Sequence, residues 1–135
     1  MDELTQPGDD HLGQVAEAAE AVLVIKNAPL PLAVLLPTGH IALANKPFAD
    51  FLGYTPGELE GADVRLIMAD DSDFAERWEH VMSSEGVTTD RLVHLRRRDG
   101  TGVTARGAGL VVNDGEGQPR YVLARALSTR PETAV

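Results

Sequence analysis

No cysteine occurs in this chain, which removes disulfides, thiolate metal sites and cysteine nucleophiles together and fits a reducing compartment. Aromatic residues are nearly as scarce. There are one tryptophan, two tyrosines and three phenylalanines, so a ring-lined site has to be built around Trp78. No apolar run approaches the roughly 18 residues of a bilayer-spanning helix, and the acidic opening MDELTQPGDD has neither the basic nor the apolar region of a signal peptide. The expectation is a cytoplasmic protein that binds no membrane. Catalytic signatures are missing too, with no Gly-x-Ser-x-Gly, no Gly-rich phosphate loop and no His-Glu-x-x-His. The scattered histidines and Ser83-Ser84 form no identifiable triad. We expect no enzyme; the rival of that class is a small α+β hydrolase or isomerase with an Asp-His dyad.

The net charge of −9 is unevenly spread. Residues 1–90 carry 17 acidic and 4 basic side chains, whereas residues 91–135 carry 4 acidic and 8 basic ones. An acidic chain of pI about 4.7 offers no overall basic footprint for nucleic acid. Arg96-Arg97-Arg98 reads as a solvated strand end before the Asp99-Gly100 turn, with alternate arginines laying their stems on both sheet faces.

At 135 residues the chain makes one domain, long enough to bury roughly two-thirds of its unfolded surface. Val15, Ala18, Val22 and Ile25 follow helical spacing within His11 to Lys26, and Ala19 and Leu23 widen the stripe. Val34, Leu35 and Leu36, the turn Pro37-Thr38-Gly39-His40, and then Ile41 and Leu43 read as a β-hairpin. Asn45 sits where strand must become helix, and as a cap it is worth roughly 1 kcal/mol, a role Asp would also fill. Phe48 and Leu52 share the buried face of that short helix, Gly53 ends it, and Thr55-Pro56 starts another turn. Asp63 to Met68 reads as a further apolar helical turn.

The acidic corner Asp70-Asp71-Ser72-Asp73 lacks the glycine and the bidentate glutamate of an EF-hand. It reads instead as the N-terminus of a helix running from about Ser72 to Ser84, with Phe74, Trp78, Val81 and Met82 on one stripe. Three meandering strands follow, at about Thr89 to Arg97, Gly102 to Val112 and Arg120 to Ser128, joined by the turns at Asp99-Gly100 and Asn113 to Gly117.

The order of hairpin, Asn45, one-turn helix, Gly53-Tyr54 and Glu58-Leu59-Glu60-Gly61, within AVLLPTGHIALANKPFADFLGYTPGELEG at 33–61, resembles the PAS sensory-domain family. The resemblance covers about residues 29–128. It implies an α+β PAS fold: a five-stranded antiparallel sheet of order 2-1-5-4-3, helices between strands 2 and 3, and an N-terminal amphipathic cap helix within residues 1–28. Residues 129–135 are expected to form a flexible tail. It further implies a sensory and interaction module of bacterial-type signal transduction, continuing into an output domain or partner such as a kinase, cyclase, phosphatase or transcription regulator. The cap-helix stripe Val15, Ala18, Val22, Ile25 is then the expected homodimer interface.

What fills the fold's interior has to be asked residue by residue. GADVRLIM at 61–68 looks like the equivalent stretch of haem-binding relatives, yet the positions matching their iron-ligating histidine are Ala75 and Glu76, and His80, one turn on, reads as a helix-surface residue. The same stretch resembles the flavin photosensors, whose reactive cysteine falls at Val64 and whose ring-holding amides correspond to Leu95, Ala105 and Ala124. No cofactor is therefore expected, with a haem- or flavin-based sensor, or a filled-core dimerisation module, as alternatives. A small apolar ligand is expected instead, lined by Leu66, Ile67, Phe74, Trp78, Val93, Val103, Tyr121 and Leu123, with His94 as a polar contact.

Overall fold

The computed structural model describes residues 19–83 and 91–128. Residues 19–27 are helical (α1), and the remainder of the expected cap helix, with Val15 and Ala18, lies outside the described residues, as do residues 129–135. Strands β1 (Leu32–Leu35) and β2 (Ile41–Ala44) form the first hairpin, followed by helices α2 (Lys46–Leu52) and α3 (Pro56–Leu59), a 3-10 turn at Val64–Ile67, and helix α4 (Phe74–Ser83). Strands β3 (Arg91–Arg96), β4 (Gly102–Asn113) and β5 (Pro119–Ser128) complete one antiparallel sheet of order β2-β1-β5-β4-β3. The α+β architecture is the one the resemblance implies.

Asn45 is the hinge of the first half. Its backbone is extended, and its Oδ1 accepts from the Phe48 amide at 3.0 Å, the expected cap. The same oxygen also accepts from the Leu32 amide at 3.0 Å, while Nδ2 donates to the carbonyls of Ile25 at 3.0 Å and Leu30 at 2.7 Å. One fully buried side chain thus ties α1, β1 and α2 together. Lys26 adds a second tie, donating to the Ala44 carbonyl and pairing with Glu60, which itself accepts from the Ala44 amide. Gly53 closes α2 at φ 81°, a conformation that favours glycine. Thr55 and Glu58 form a capping box on α3.

The densest core lies between the hairpin and the short helices, where Ala33, Ile41, Ala44, Phe48, Leu52 and Leu59 are buried. By contrast α4 buries no residue fully: Phe74, Trp78, Val81 and Met82 are half-buried on the expected stripe. It begins two residues later than the spacing predicts. Asp70 Oδ1 accepts from the Ser72 amide and the Asp71 carbonyl from the Phe74 amide, so these residues close turns ahead of the first helical one.

The arginine run also differs from expectation. β3 ends at Arg96, so Arg97 and Arg98 lie in the turn and off the sheet faces. The Arg98 amide donates to the Leu52 carbonyl and its guanidinium pairs with Glu58 at 3.0 Å, fastening the β3–β4 turn to α2 and α3.

Candidate functional site

Small residues on three central strands leave the inner face of the sheet low. Ala33 on β1, Gly107 and Gly109 on β4, and Ala124 and Ala126 on β5 all border a cavity of about 530 Å³, within the range typical of small-molecule sites. Their side chains are too short to reach α4, and close packing fails there. Phe74, Trp78 and Val81 of α4 form the opposite wall, with Val64, Ile67 and Met68 at the 3-10 turn and Val93 and Leu95 on β3.

The α4 wall is fixed from one end. Asp63 caps the 3-10 turn and holds Arg65, whose guanidinium lies 5.5 Å over the Phe74 ring. The side-chain bond from Arg65 and its backbone amide hold the Asp63 carboxyl below its ordinary range. Phe74 stacks on Trp78 with ring centroids 5.7 Å apart, and Trp78 Nε1 donates to the Pro37 carbonyl at 2.7 Å. The Asp63 cap was missed from the sequence, although Asp before a short helical segment is an N-cap signal.

Of the expected lining residues, Ile67, Phe74, Trp78, Val93 and His94 border the cavity. His94 alternates with the inward Val93 and Leu95, and its Nδ1 lies 3.1 Å from Thr104 Oγ1 on the neighbouring strand. Leu66, Val103, Tyr121 and Leu123 lie off the cavity. Leu66 is 40% exposed at the 3-10 turn, and Val103 packs against the core beyond the cavity's end. Tyr121 and Leu123 are a register error: Val122, Ala124 and Ala126 line the cavity, and the odd-numbered neighbours alternate to the opposite face.

His80 corrects a further expectation, since it borders the cavity from α4 in the helix's own register. Its side chain is exposed, as is that of Ala75, and Glu76 offers a carboxylate. The donor set therefore holds no buried imidazole for a haem iron. Leu95 and Ala124 line the cavity and Ala105 is fully buried, so the positions that would hold a flavin ring carry no amide. Neither group fits these residues. Among the described residues, no three His, Asp or Glu side chains converge as a metal site.

A profile of the family described as PAS domain matches residues 29–124. Among solved structures, the fold is similar to the PAS domain of an HTR-like protein from Haloarcula marismortui, with TM-score 0.68 and 22% identity over 90% of this chain and 99% of that one. It is also similar to a domain of a sensory box sensor histidine kinase/response regulator from Geobacter sulfurreducens, with TM-score 0.65 and 18% identity over 87% of this chain and 96% of that one. A third is the PAS domain, in complex with ethanol, of a LuxR-family transcriptional regulator from Burkholderia thailandensis, with TM-score 0.64 and 17% identity over 79% and 96% of the two chains. No curated protein matches the chain.

Proposed function

This chain belongs to the PAS domain family, and from that footing we propose that it senses a small apolar molecule in the cavity beneath α4 and passes the signal on through the packing of a homodimer. As a PAS domain it is a sensory module of the kind found in sensor histidine kinases and transcription regulators. The observation that carries the finer reading is the unfilled cavity of about 530 Å³ between a small-residue sheet face and the Phe74–Trp78 wall. A core evolved only for stability would fill that volume, because empty apolar space forfeits contacts.

A ligand shifts packing only as far as it binds the two arrangements differently. The cavity is bordered by α4 and β3, two elements with no fully buried residue, so occupancy acts on a part of the fold weakly fixed by its own core. No catalysis is required for this role, and none is proposed. We place the protein in the cytoplasm, linked to an output domain or partner of the kinase or transcription-regulator kind, with no nucleic acid or membrane contact of its own.

The experiment is a ligand screen by thermal shift and Trp78 emission on the purified protein. Medium-chain apolar compounds should raise the melting temperature in proportion to the logarithm of their concentration and alter the emission saturably. If no such compound does either, or if the purified protein carries a stoichiometric haem or flavin spectrum, the reading fails.

A further inference from the structure

We propose that the cavity's ligand is a medium-chain monocarboxylic acid, its apolar chain lying along the small-residue floor and its carboxylate held at the mouth by Arg91; the inference rests on reading this cavity as the ligand site. The charged lining is unbalanced. Among the described residues, Arg77 and Arg91 border the cavity against the single carboxylate of Glu76, while Arg125 touches it between the inward Ala124 and Ala126 and alternates to the opposite face. Arg77 is already neutralised within α4, where its Nε donates to Asp73 Oδ1 at 2.8 Å and its NH2 group to the Asp70 carbonyl. The Arg91 guanidinium, by contrast, has no hydrogen-bond or ion-pair partner among the described residues.

Arg91 opens β3 opposite Gly107, the glycine at one end of the small-residue floor. No side chain grows from that position on β4, and a Cβ there would come within 3.3 Å of both Val93 methyl carbons. Val93 therefore packs over Gly107, and the apolar surface inward of Arg91 is made by Val93, Ala124 and Ala126. Arg91 is exposed, so its charge sits at the water's edge while the apolar walls lie inward. This division suits a molecule with one anionic end and an apolar body, since a planar guanidinium meets a carboxylate with two parallel hydrogen bonds. Glu76, on the facing helix, sets the count of charges. A second carboxylate on the ligand would meet it with like charge, so a monoacid is favoured over a diacid.

The test titrates the full chain with dodecanoic acid, dodecanol and dodecanedioic acid, each below its aggregation limit, reading Trp78 emission and melting temperature. The acid should bind about tenfold or more tightly than the alcohol, as expected of a charge-assisted pair, and the diacid more weakly than the monoacid. Arg91→Ala should reduce acid affinity to the level of the alcohol while leaving alcohol affinity unchanged, and Arg91→Lys should recover part of the loss. Equal affinity for acid and alcohol in the unmodified chain overturns the assignment of the head group while leaving the apolar cavity standing, as does an Arg91→Ala variant that weakens both alike. Failure of every compound to bind overturns the cavity reading and this one with it. Because the acid-to-alcohol ratio is measured on the unmodified chain, the outcome does not depend on the variants folding.

Discussion

Trp78 donates its indole N–H to the carbonyl of Pro37 at 2.7 Å, joining α4 to the β1–β2 turn across 41 positions of sequence. The bond ends a ladder that starts at Asp63 and passes through Arg65 and Phe74. Since α4 buries no residue fully, this ladder is a principal attachment of the helix that roofs the cavity. An indole placed this way touches both the apolar interior and a polar carbonyl, the arrangement in which tryptophan is most useful.

Trp78→Phe keeps a stacked ring on Phe74 but removes the donor. The Pro37 carbonyl is near solvent and can turn to water, so the loss should be about 1 kcal/mol. Trp78→Ala removes the stack as well and should cost more, yet less than the roughly 3 to 5 kcal/mol of a fully packed ring, because this one is half-buried. Urea denaturation of the two variants checks the order; equal losses would mean that the stack contributes nothing.

Asn45 should be far more sensitive than a cap alone. Its removal strands the buried amide of Phe48, the partly buried amide of Leu32 and the carbonyls of Ile25 and Leu30. Asn45→Ala should therefore cost roughly 3 kcal/mol or more, at about 1 to 3 kcal/mol for each buried group left unpaired. Asn45→Asp, harmless for a simple cap, keeps the acceptor but points a buried carboxylate at two carbonyl oxygens. It should be as damaging as Ala, and more so at neutral pH than in acid. A mild Asp variant in equilibrium unfolding would remove the two carbonyl contacts from the account.

This contrast marks what the sequence made legible. The cap at Asn45, the turn at Asp99-Gly100 and the stripe on α4 are local features, each written in residues within a few positions of one another, and the fold follows from their order. The sheet face was not legible in β5. Its two alternating sets are Tyr121, Leu123, Arg125 and Leu127 on one side and Val122, Ala124 and Ala126 on the other; the bulk of Tyr121 and the leucines outweighed the one charge, Arg125, that marks their side as the outward one. Large residues looked like a binding wall, whereas a cavity exists where residues are small. His80 and Arg91 were missed for a related reason: solvated charges at a mouth look like any other surface charge until the cavity behind them is seen.

Glu60 should make stability depend on acid. Burial pushes its carboxyl up, but the hydrogen bond from Lys26, the Ala44 amide and the Lys26 charge together outweigh burial and hold it below the ordinary 4.5. A carboxyl depressed in the folded state adds stability that is present above its unfolded value and is lost as pH falls through the folded one. The melting temperature should therefore drop as pH falls below about 4.5, and Glu60→Gln, which keeps an oxygen for the Ala44 amide, should flatten part of that slope while lowering stability at neutral pH. An unchanged slope in the variant would show that the Lys26–Glu60 pair does not hold α1 to the core.

The exposed face of α1 bears on assembly. Val22, Leu23 and Val24 are 37%, 62% and 65% exposed, although the helix is anchored at its C-terminal end through Ile25 and Lys26. A tethered helix that turns consecutive apolar residues outward gains nothing from the monomer and a good deal from a partner that covers them. Light scattering should give a homodimer at tens of micromolar, and Val22→Glu should dissociate it, because a carboxylate in a desolvated seam has no counter-charge to meet. Val22 lies one turn before Ile25 and Lys26 on the same face, so the variant's melting temperature, read at a concentration where both proteins are monomeric, tells loss of the dimer from loss of that anchor. A monomeric unmodified chain would remove α1 from any interface. A Val22→Glu variant that remains dimeric would move the seam elsewhere, to the outer sheet face where Leu110, Val112 and Tyr121 are also exposed.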